Sequence, residues 1–356
     1  MKIAYITSID TDLHRASSNQ VSSMIRAFKE HCDKGFVSCV LTRNKRKKNI
    51  DYFYNVDFII NRKIRKFVTP LLFFNIIKKE NVSHIYCREI FVAFFYSILG
   101  YHVFFELHEM IGNKVQDFFL KIISKRKSFN IITVSKKAAV DVSISFPNSK
   151  VICLPNGVFI EDYDTKFLSD KKLLDDNGKL NIVYTGSLYK GNDIDIIVSV
   201  AERFNNGNFY IIGGTKPEFE SILINHPGAK NIKHIPSLPH NQVIYYQLSA
   251  DVLFYPISDT NRIKNHTSPL KIFEYMAACK PILANSLGAV NELLNETNAY
   301  IFSDFNDAVN KLDEIDLNIK NKMESKSIKA FEYVRDNYTW KNRVINIIEI
   351  GSNNVY

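Results

Sequence analysis

Short apolar runs of strand length alternate with helix-length stretches along this chain, and the alternation restarts near its middle. In the first half, Ile3 to Ile6, Phe36 to Leu41, His84 to Cys87, His102 to Glu106, Asn130 to Val134 and Val151 to Leu154 read as strands. Ser18 to Glu30, Thr69-Pro70 to Lys79 and Ile90 to Leu99 read as helices between them. The second half opens again with the strand Asn181 to Thr185, the turn Gly186-Ser187 and a helix from about Asp193 to Phe204. Phe209 to Ile212 then runs into Gly213-Gly214, and Val252 to Tyr255 precedes Pro256. This pattern predicts α/β architecture with parallel, doubly wound sheets. The 356 residues are enough for two such domains. The expected division is a first domain over 1–160, a polar linker over 161–179 and a second domain over 180–334, with a helical tail beyond.

Composition narrows the class. The chain is 46% hydrophobic and 23% charged, as in an ordinary globular protein. Cys32, Cys39, Cys87, Cys153 and Cys279 form no CxxC pair, so reduced thiols of a cytoplasmic protein are expected and a zinc site is not. Met1 to Ile9 begins like a signal peptide but meets Asp10 and Asp12 too early, and reads as a first strand. The longest apolar stretch, Phe91 to Phe105, contains His102 and falls short of a bilayer span, so no transmembrane helix is expected. Charge is unevenly placed: 25 Lys+Arg against 12 Asp+Glu in residues 1–160, and 21 against 25 in residues 161–356. Basic clusters at Lys45–Lys48, Arg62–Lys66 and Lys125–Lys127 suit an anionic membrane surface, while nucleic acid is not the expected partner.

The segment Ser268-Pro269-Leu270-Lys271-Ile272-Phe273-Glu274-Tyr275-Met276-Ala277-Ala278-Cys279-Lys280-Pro281-Ile282 carries the chemistry. Ser268 suits a helix N-cap and Pro269 the first helical position. From Leu270 to Ala278 the helix is apolar on nearly every face, so it should be buried. Its one carboxylate, Glu274, must then pair with a cation or face a polar cleft. A helix N-terminus with free amides, Lys271 in its first turn and Glu274 a turn later can seat a sugar nucleotide, phosphate on the amides and lysine, ribose on the carboxylate.

The segment resembles the second-domain signature of retaining nucleotide-sugar glycosyltransferases of the GT-B fold, family 4 (the group 1 glycosyltransferases). Glu274 matches the second of that family's two spaced glutamates, whereas His266 stands at the first. Cys279 stands where the family usually has a glycine in left-handed backbone. Thr185 to Gly191 looks like the family's phosphate-binding segment, with Gly186 for close approach, Lys190 as a cation and Ser187 where an arginine is common. Ile211-Ile212-Gly213-Gly214 looks like the loop beside the nucleobase. Arg88 and Phe105 to Glu109 resemble the first-domain strand whose histidine, here His108, faces the donor sugar. Leu154 to Val158 matches an interdomain Pro-Asn-Gly-Val turn, where Asn-Gly would supply positive φ. The first loop, Arg15 to Gln20, lacks the Gly-Gly pair of many relatives, and Arg15 is expected to compensate.

The resemblance implies two Rossmann-like domains facing across a cleft, with a C-terminal helix crossing back onto the first. It implies transfer of a sugar from a nucleoside-diphosphate donor to an acceptor hydroxyl with retention, in the assembly of a bacterial surface polysaccharide. The donor is a co-substrate rather than a cofactor, the acceptor a lipid-linked molecule or glycan, and the place the cytoplasm or the inner face of the cell membrane. His108, Lys190, Lys271 and Glu274 are the expected catalytic residues. Arg15, Gly186, Ser187, Gly213, Gly214, His266, Ser268, Pro269 and Leu270 are the expected donor-binding ones. No metal is required: Asp193-Ile194-Asp195 lies at a helix start, where acidic residues favour the dipole. A dehydrogenase is disfavoured because no Gly-x-Gly-x-x-Gly follows the first strand. The altered first loop, Ser187 and His266 also fit a catalytically inactive partner of another glycosyltransferase, and an epimerase on the same fold stays open.

Overall fold

The computed structural model describes residues 1–9, 16–32, 35–42, 50–55, 62–108, 114–164, 173–175 and 177–353, and among these the side chains of Asn55, Arg62, Lys63, Lys190 and Asn353 are not described. Arg15, Glu109 and the cluster Lys45–Lys48 lie outside the described residues.

The chain divides into two compact units, one of 1–156, 266–268 and 340–356, the other of 157–265 and 269–339. The first contains β1 (Ile3–Thr7), α1 (Ala16–His31), β2 (Phe36–Thr42), β3 (Tyr52–Asn55), α2 (Arg62–Lys79), β4 (His84–Cys87), α3 (Ile90–Ile98), β5 (His102–Leu107), α4 (Lys114–Ile123), β6 (Phe129–Thr133), α5 (Lys136–Ser145) and β7 (Lys150–Cys153). Its seven strands run in the order β3-β2-β1-β4-β5-β6-β7, and every pair is parallel. The second contains β8 (Leu180–Thr185), α6 (Ile194–Arg203), β9 (Gly207–Ile212), α7 (Lys216–Leu223), β10 (Ile232–Ile235), α8 (His240–Ser249), β11 (Val252–Tyr255), α9 (Leu270–Ala277), β12 (Ile282–Ala284), β13 (Tyr300–Ile301), α10 (Phe305–Lys320) and α11 (Lys326–Asn337). Its six strands order as β10-β9-β8-β11-β12-β13, again parallel. The last helix, α12 (Trp340–Asn353), belongs to the first unit and packs on α1. The fold is α/β, of GT-B type, with two Rossmann-like units.

The apolar runs follow from this arrangement. A parallel strand is covered by helices on both faces, so β1, β4, β6 and β9 are buried at every position instead of alternating. In each sheet the order reverses beside the first strand: β1 lies between β2 and β4, and β8 between β9 and β11. Ligands of open α/β sheets bind outside the carboxyl ends of strands at such switch points.

Several local expectations are corrected. The helix expected to open at Thr69-Pro70 begins at Arg62 and carries Pro70 inside it. Pro70 has no N–H to give the Lys66 carbonyl four residues back, and next to it Thr69 Oγ1 donates to the Arg65 carbonyl (2.6 Å). The strand β3 adds an edge that the expected pattern did not include. Neither Asn156 nor Gly157 takes positive φ. Asn156 is buried and binds Ser268 twice, its N–H donating to Oγ (2.9 Å) and its Nδ2 to the carbonyl (2.7 Å). With its hydroxyl so used, Ser268 is not the N-cap of α9; Pro269 occupies that position, one residue later than expected, and makes no side-chain capping bond. Around the expected linker, Tyr163 is buried in the core of the second unit, Leu174 packs against it, and Asp175 pairs with Lys233 (2.6 Å).

Cys279, just past the end of α9, has φ +53°, the left-handed geometry that favours glycine. A side chain there costs about 1–2 kcal/mol, partly offset by the backbone entropy a glycine would lose. Cys279→Gly is therefore expected to stabilise the protein by about 0.5–1 kcal/mol. Urea unfolding should show a higher midpoint at unchanged slope; a lower midpoint would mean that the cysteine's own contacts outweigh the backbone.

Candidate active site

In the second unit the carboxyl ends of β8, β9 and β11 gather around α9. Gly186 follows β8 with φ +146°, and Gly213 and Gly214 follow β9 with φ +130° and +65°. The two turns lie back to back, the Gly186 N–H donating to the Ile212 carbonyl at 2.8 Å. A Cβ on Gly213 would stand 2.0 Å from the Gly186 carbonyl oxygen, and one on Gly186 would stand 2.7 Å from Lys271 Nζ. Glycine is required at both places because backbone and a lysine head fill the space. The Ser187 carbonyl accepts from Tyr184 OH (2.8 Å) and from Asn192 Nδ2 (2.9 Å), which pins the turn. Lys190 begins the 3-10 turn Lys190–Asn192 immediately after it.

Lys271 lies in the first turn of α9. Its Nζ donates to Tyr184 OH (3.0 Å) and sits 4.4 Å from the Tyr184 ring centre and 5.4 Å from that of Tyr255. Burial pulls its pKa down to about 7, against the opposing pull of Glu274. A lysine on aromatic faces with no carboxylate in salt-bridge contact among the described residues is an ammonium short of a counter-ion, which suits an anion.

Glu274, a turn further along, has both oxygens engaged. His240 Nε2, at the start of α8, bonds Oε1 at 2.8 Å, and Gln247 Nε2 donates to Oε2 at 3.1 Å. Burial pushes the carboxyl up, but His240, Gln247 and Lys271 outweigh it and hold Glu274 below the usual carboxylate range. Burial likewise lowers His240, and Glu274 more than compensates, leaving the imidazole above its ordinary value. Gln247 is oriented in turn: Tyr163 OH donates to its Oε1 (2.8 Å), and its Nε2 also reaches Thr185 Oγ1 (3.0 Å). His240 and Gln247 carried no sequence signal of their own. The lone carboxylate on an apolar helix required a partner but did not say which.

Other expected site residues belong to the first unit. His266 bonds Asp141 Oδ2 on α5 through Nε2 (2.9 Å), and Asp141 also accepts from Lys137 (2.7 Å). His108, just past β5, bonds the buried Glu106 through Nε2. Glu89, after β4, clasps the end of β1, its Oε1 accepting from the Ser8 N–H (2.6 Å) and hydroxyl (2.8 Å) and from Thr7 Oγ1 (3.1 Å). Thus Gly186, Ser187, Gly213, Gly214, Pro269, Leu270, Lys271 and Glu274 share one unit, and His108, His266 and Ser268 the other. Among the described residues, no three His, Cys, Asp or Glu side chains are grouped to hold a metal ion.

Residues 165–335 match the sequence model of the glycosyl transferases group 1. No curated protein matches the chain by sequence. Among solved structures, the chain is similar to sucrose-phosphate synthase from Thermosynechococcus elongatus (13% identity, TM-score 0.75, covering 98% of each chain). It is similar to a glycosyltransferase from Rickettsia africae (14%, TM-score 0.76, 99% of this chain and 98% of that one). It is also similar to HepE of Anabaena, solved in complex with UDP and glucose (14%, TM-score 0.71, 99% of each). At such identities the likeness is one of fold.

The desolvated lysine generates a stability prediction. Its folded value of about 7 lies below the ordinary 10.5, so the unfolded chain binds the proton more tightly. The destabilisation is absent above the ordinary value, grows as pH falls between the two, and is complete below about 7. Lys271→Met should therefore be more stable than the parent, with a gap that is largest near about pH 6 and closes towards about pH 10. Urea titrations of both proteins across this range check it, and a pH-independent gap would show that Lys271 is well solvated.

Proposed function

Taking residues 165–335 as a group 1 glycosyl transferase domain, we propose that the chain transfers a sugar, with retention, from a nucleoside-diphosphate donor to an acceptor hydroxyl during bacterial surface polysaccharide assembly. The observation that carries this reading is the meeting of Lys271 with the Gly186 and Gly213 turns, one helical turn from a fixed, ionised Glu274. As the glycosidic bond breaks, the anomeric carbon becomes electron-poor and the departing diphosphate gains negative charge. Cations and amides held in place beforehand stabilise that charge without reorganising. Lys271, the first amides of α9 at Leu270 and Lys271, and the backbone of the Gly186-Ser187 turn supply them, with Lys190 as a further cation by resemblance and no metal ion needed. Glu274 takes the ribose hydroxyls and Gly213-Gly214 the nucleobase side. Retention is carried by the family resemblance, and the UDP and glucose bound to HepE support a nucleotide-sugar donor.

Nucleotide binding tests this reading. A thermal-shift panel of UDP, GDP and CMP compounds should single out one nucleoside diphosphate, since a ligand of the folded state stabilises it by mass action. Glu274→Gln should then weaken that ligand by at least about tenfold, or about 1.4 kcal/mol, while the free variant still melts cooperatively. Unchanged affinity with a lowered melting point would make Glu274 a purely structural partner of His240.

The acceptor, on this reading, is lipid-linked or a growing glycan, and the first unit meets an anionic membrane from the cytoplasmic side. Helix α2 has two apolar faces: Phe73 and Ile77 are buried in the core, whereas Ile64, Phe67 and Leu71 form a second row, the latter two 54% and 59% exposed. Helix α4 repeats that spacing with Val115, Phe118 and Ile122, all exposed. The rows are joined through α3, where Phe91 lies 3.9 Å from Phe67 and 5.4 Å from Phe119, centre to centre. Lys121 and Lys125–Lys127 border this surface in sequence, and each cation near anionic lipid contributes about 1 kcal/mol. No described helix is long and apolar enough to cross a membrane. Salt-sensitive co-sedimentation with anionic but not neutral vesicles is expected, and Phe67→Ser with Leu71→Ser should diminish it. Absence of binding to either vesicle at low salt would remove the membrane from the proposal.

A further inference from the structure

We propose that Glu106 is a positioning residue that holds His108 with its proton on Nε2 and leaves Nδ1 as a bare acceptor for a substrate hydroxyl, and that Arg343 of the C-terminal helix completes the device. The substrate part of this statement rests on the transferase reading above; the tautomer part does not.

Four donors converge on Glu106, which is 1% exposed. Gln20 Nε2 of α1 donates to Oε1 at 2.7 Å, and His108 Nε2 bonds the same oxygen. Tyr86 OH of β4 donates to Oε2, and Arg343 Nη2 of α12 lies 3.0 Å from it. The direction of each bond is fixed by groups that can only donate. Arg88 Nη1 donates to Gln20 Oε1 (2.7 Å), so the amide nitrogen of Gln20 is the end that faces Glu106. Arg343 also cannot accept, and its Nη1 is engaged by the carbonyls of Leu154 and Pro155, the latter at 2.5 Å. A carboxyl group surrounded in this way has nowhere to point a proton of its own. Glu106 is therefore an acceptor throughout, and the hydrogen between it and His108 resides on Nε2.

His108 is left with one free ring nitrogen, and its side chain is 22% exposed. Nδ1 has no partner among the described residues. The groups facing it decide its charge. Burial lowers its pKa, Glu106 raises it, and the cations of Arg88 and Arg343 lower it again, for a net value below the ordinary one. Burial alone would raise Glu106, but Arg343 and His108 hold it ionised. The imidazole is neutral at neutral pH, so Nδ1 offers a lone pair rather than a proton. Such a nitrogen accepts from a sugar hydroxyl and orients it; it does not protonate a leaving group. Arg343 acts through Glu106, which gives the C-terminal helix a part in the chemistry of the first unit.

The test is nitrogen NMR of the full chain labelled in its histidine rings, with the His108 signals assigned by their loss in His108→Gln. The expected spectrum at about pH 7 is the neutral Nε2–H form, persisting below the ordinary histidine value of about 6.5. A neutral Nδ1–H form, or an imidazolium at that pH, would overturn the assignment, whether or not any variant folds. Glu106→Gln should give mixed tautomers and lower kcat by about tenfold or more with little change in the donor KM, because orientation rather than binding is lost. Wild-type turnover in that variant would also overturn the positioning role. If no sugar nucleotide is turned over by the parent while the spectrum is as expected, the transferase reading fails and the tautomer stands.

Discussion

A carboxylate taken out of water must be met by donors on every lone pair or be expelled, and the first unit is organised around one that is met. Glu106, on β5, draws together α1, β4 and α12, elements far apart in the chain that each contribute a donor, and His108 just past its own strand supplies the fourth. Removing one partner of such a buried ion pair typically costs about 3–5 kcal/mol, because the charge left behind stays buried. Apolar residues could have packed these positions at less risk. A full set of donors on one oxygen pair rigidifies its surroundings and sets the direction of every bond in the cluster. The second unit uses the same device less completely: Glu274 is met by His240 and Gln247, and each of its oxygens keeps a lone pair to spare.

The two sites differ in how they handle positive charge. Around Glu106, Arg343 is paired with the carboxylate and Arg88 donates to Gln20, and the field of both lowers the pKa of His108. Lys271 is placed the other way, against aromatic rings and a tyrosine hydroxyl, with a pKa near neutrality. A desolvated lysine of this kind is a cost to the folded protein that a bound anion would relieve. The close packing of Gly186 on Gly213 belongs to the same requirement, since any side chain at either glycine would displace the backbone or the ammonium.

What the sequence disclosed follows the range of the interactions involved. Strand–helix alternation is local, and the two parallel sheets were legible from it. The helix stop before Pro281 was legible too, because a short stretch of chain fixes where a helix must end, while the left-handed turn at Cys279 was implied by the resemblance. Local grammar misled where a distant group intervened. Ser268 has the chemistry of an N-cap, but Asn156 takes its hydroxyl. Asn156-Gly157 has the composition of a positive-φ turn, yet the asparagine is spent on holding Ser268. Pro70 suggested a helix start, but the buried residues Phe73 and Ile77 secure the helix through it. The partners of Glu106 and Glu274 lay beyond reach, for pairing across up to 237 positions leaves no periodicity to read.

The same distinction explains why the altered positions need not disable the chain. Ser187, where the resemblance implies a second cation, has a carbonyl that anchors its turn through Tyr184 and Asn192. His266, where the resemblance implies a glutamate, is held by Asp141 through one ring nitrogen. Each replacement exchanges a formal charge for a fixed polar group, and in a water-poor site a fixed dipole stabilises developing charge nearly as effectively as an ion that must first be desolvated. Lys271, short of a carboxylate partner among the described residues and costly to the fold, favours the transferase reading proposed above over an inactive one. Drift towards a neutral, better packed residue at that position would have been the easier course.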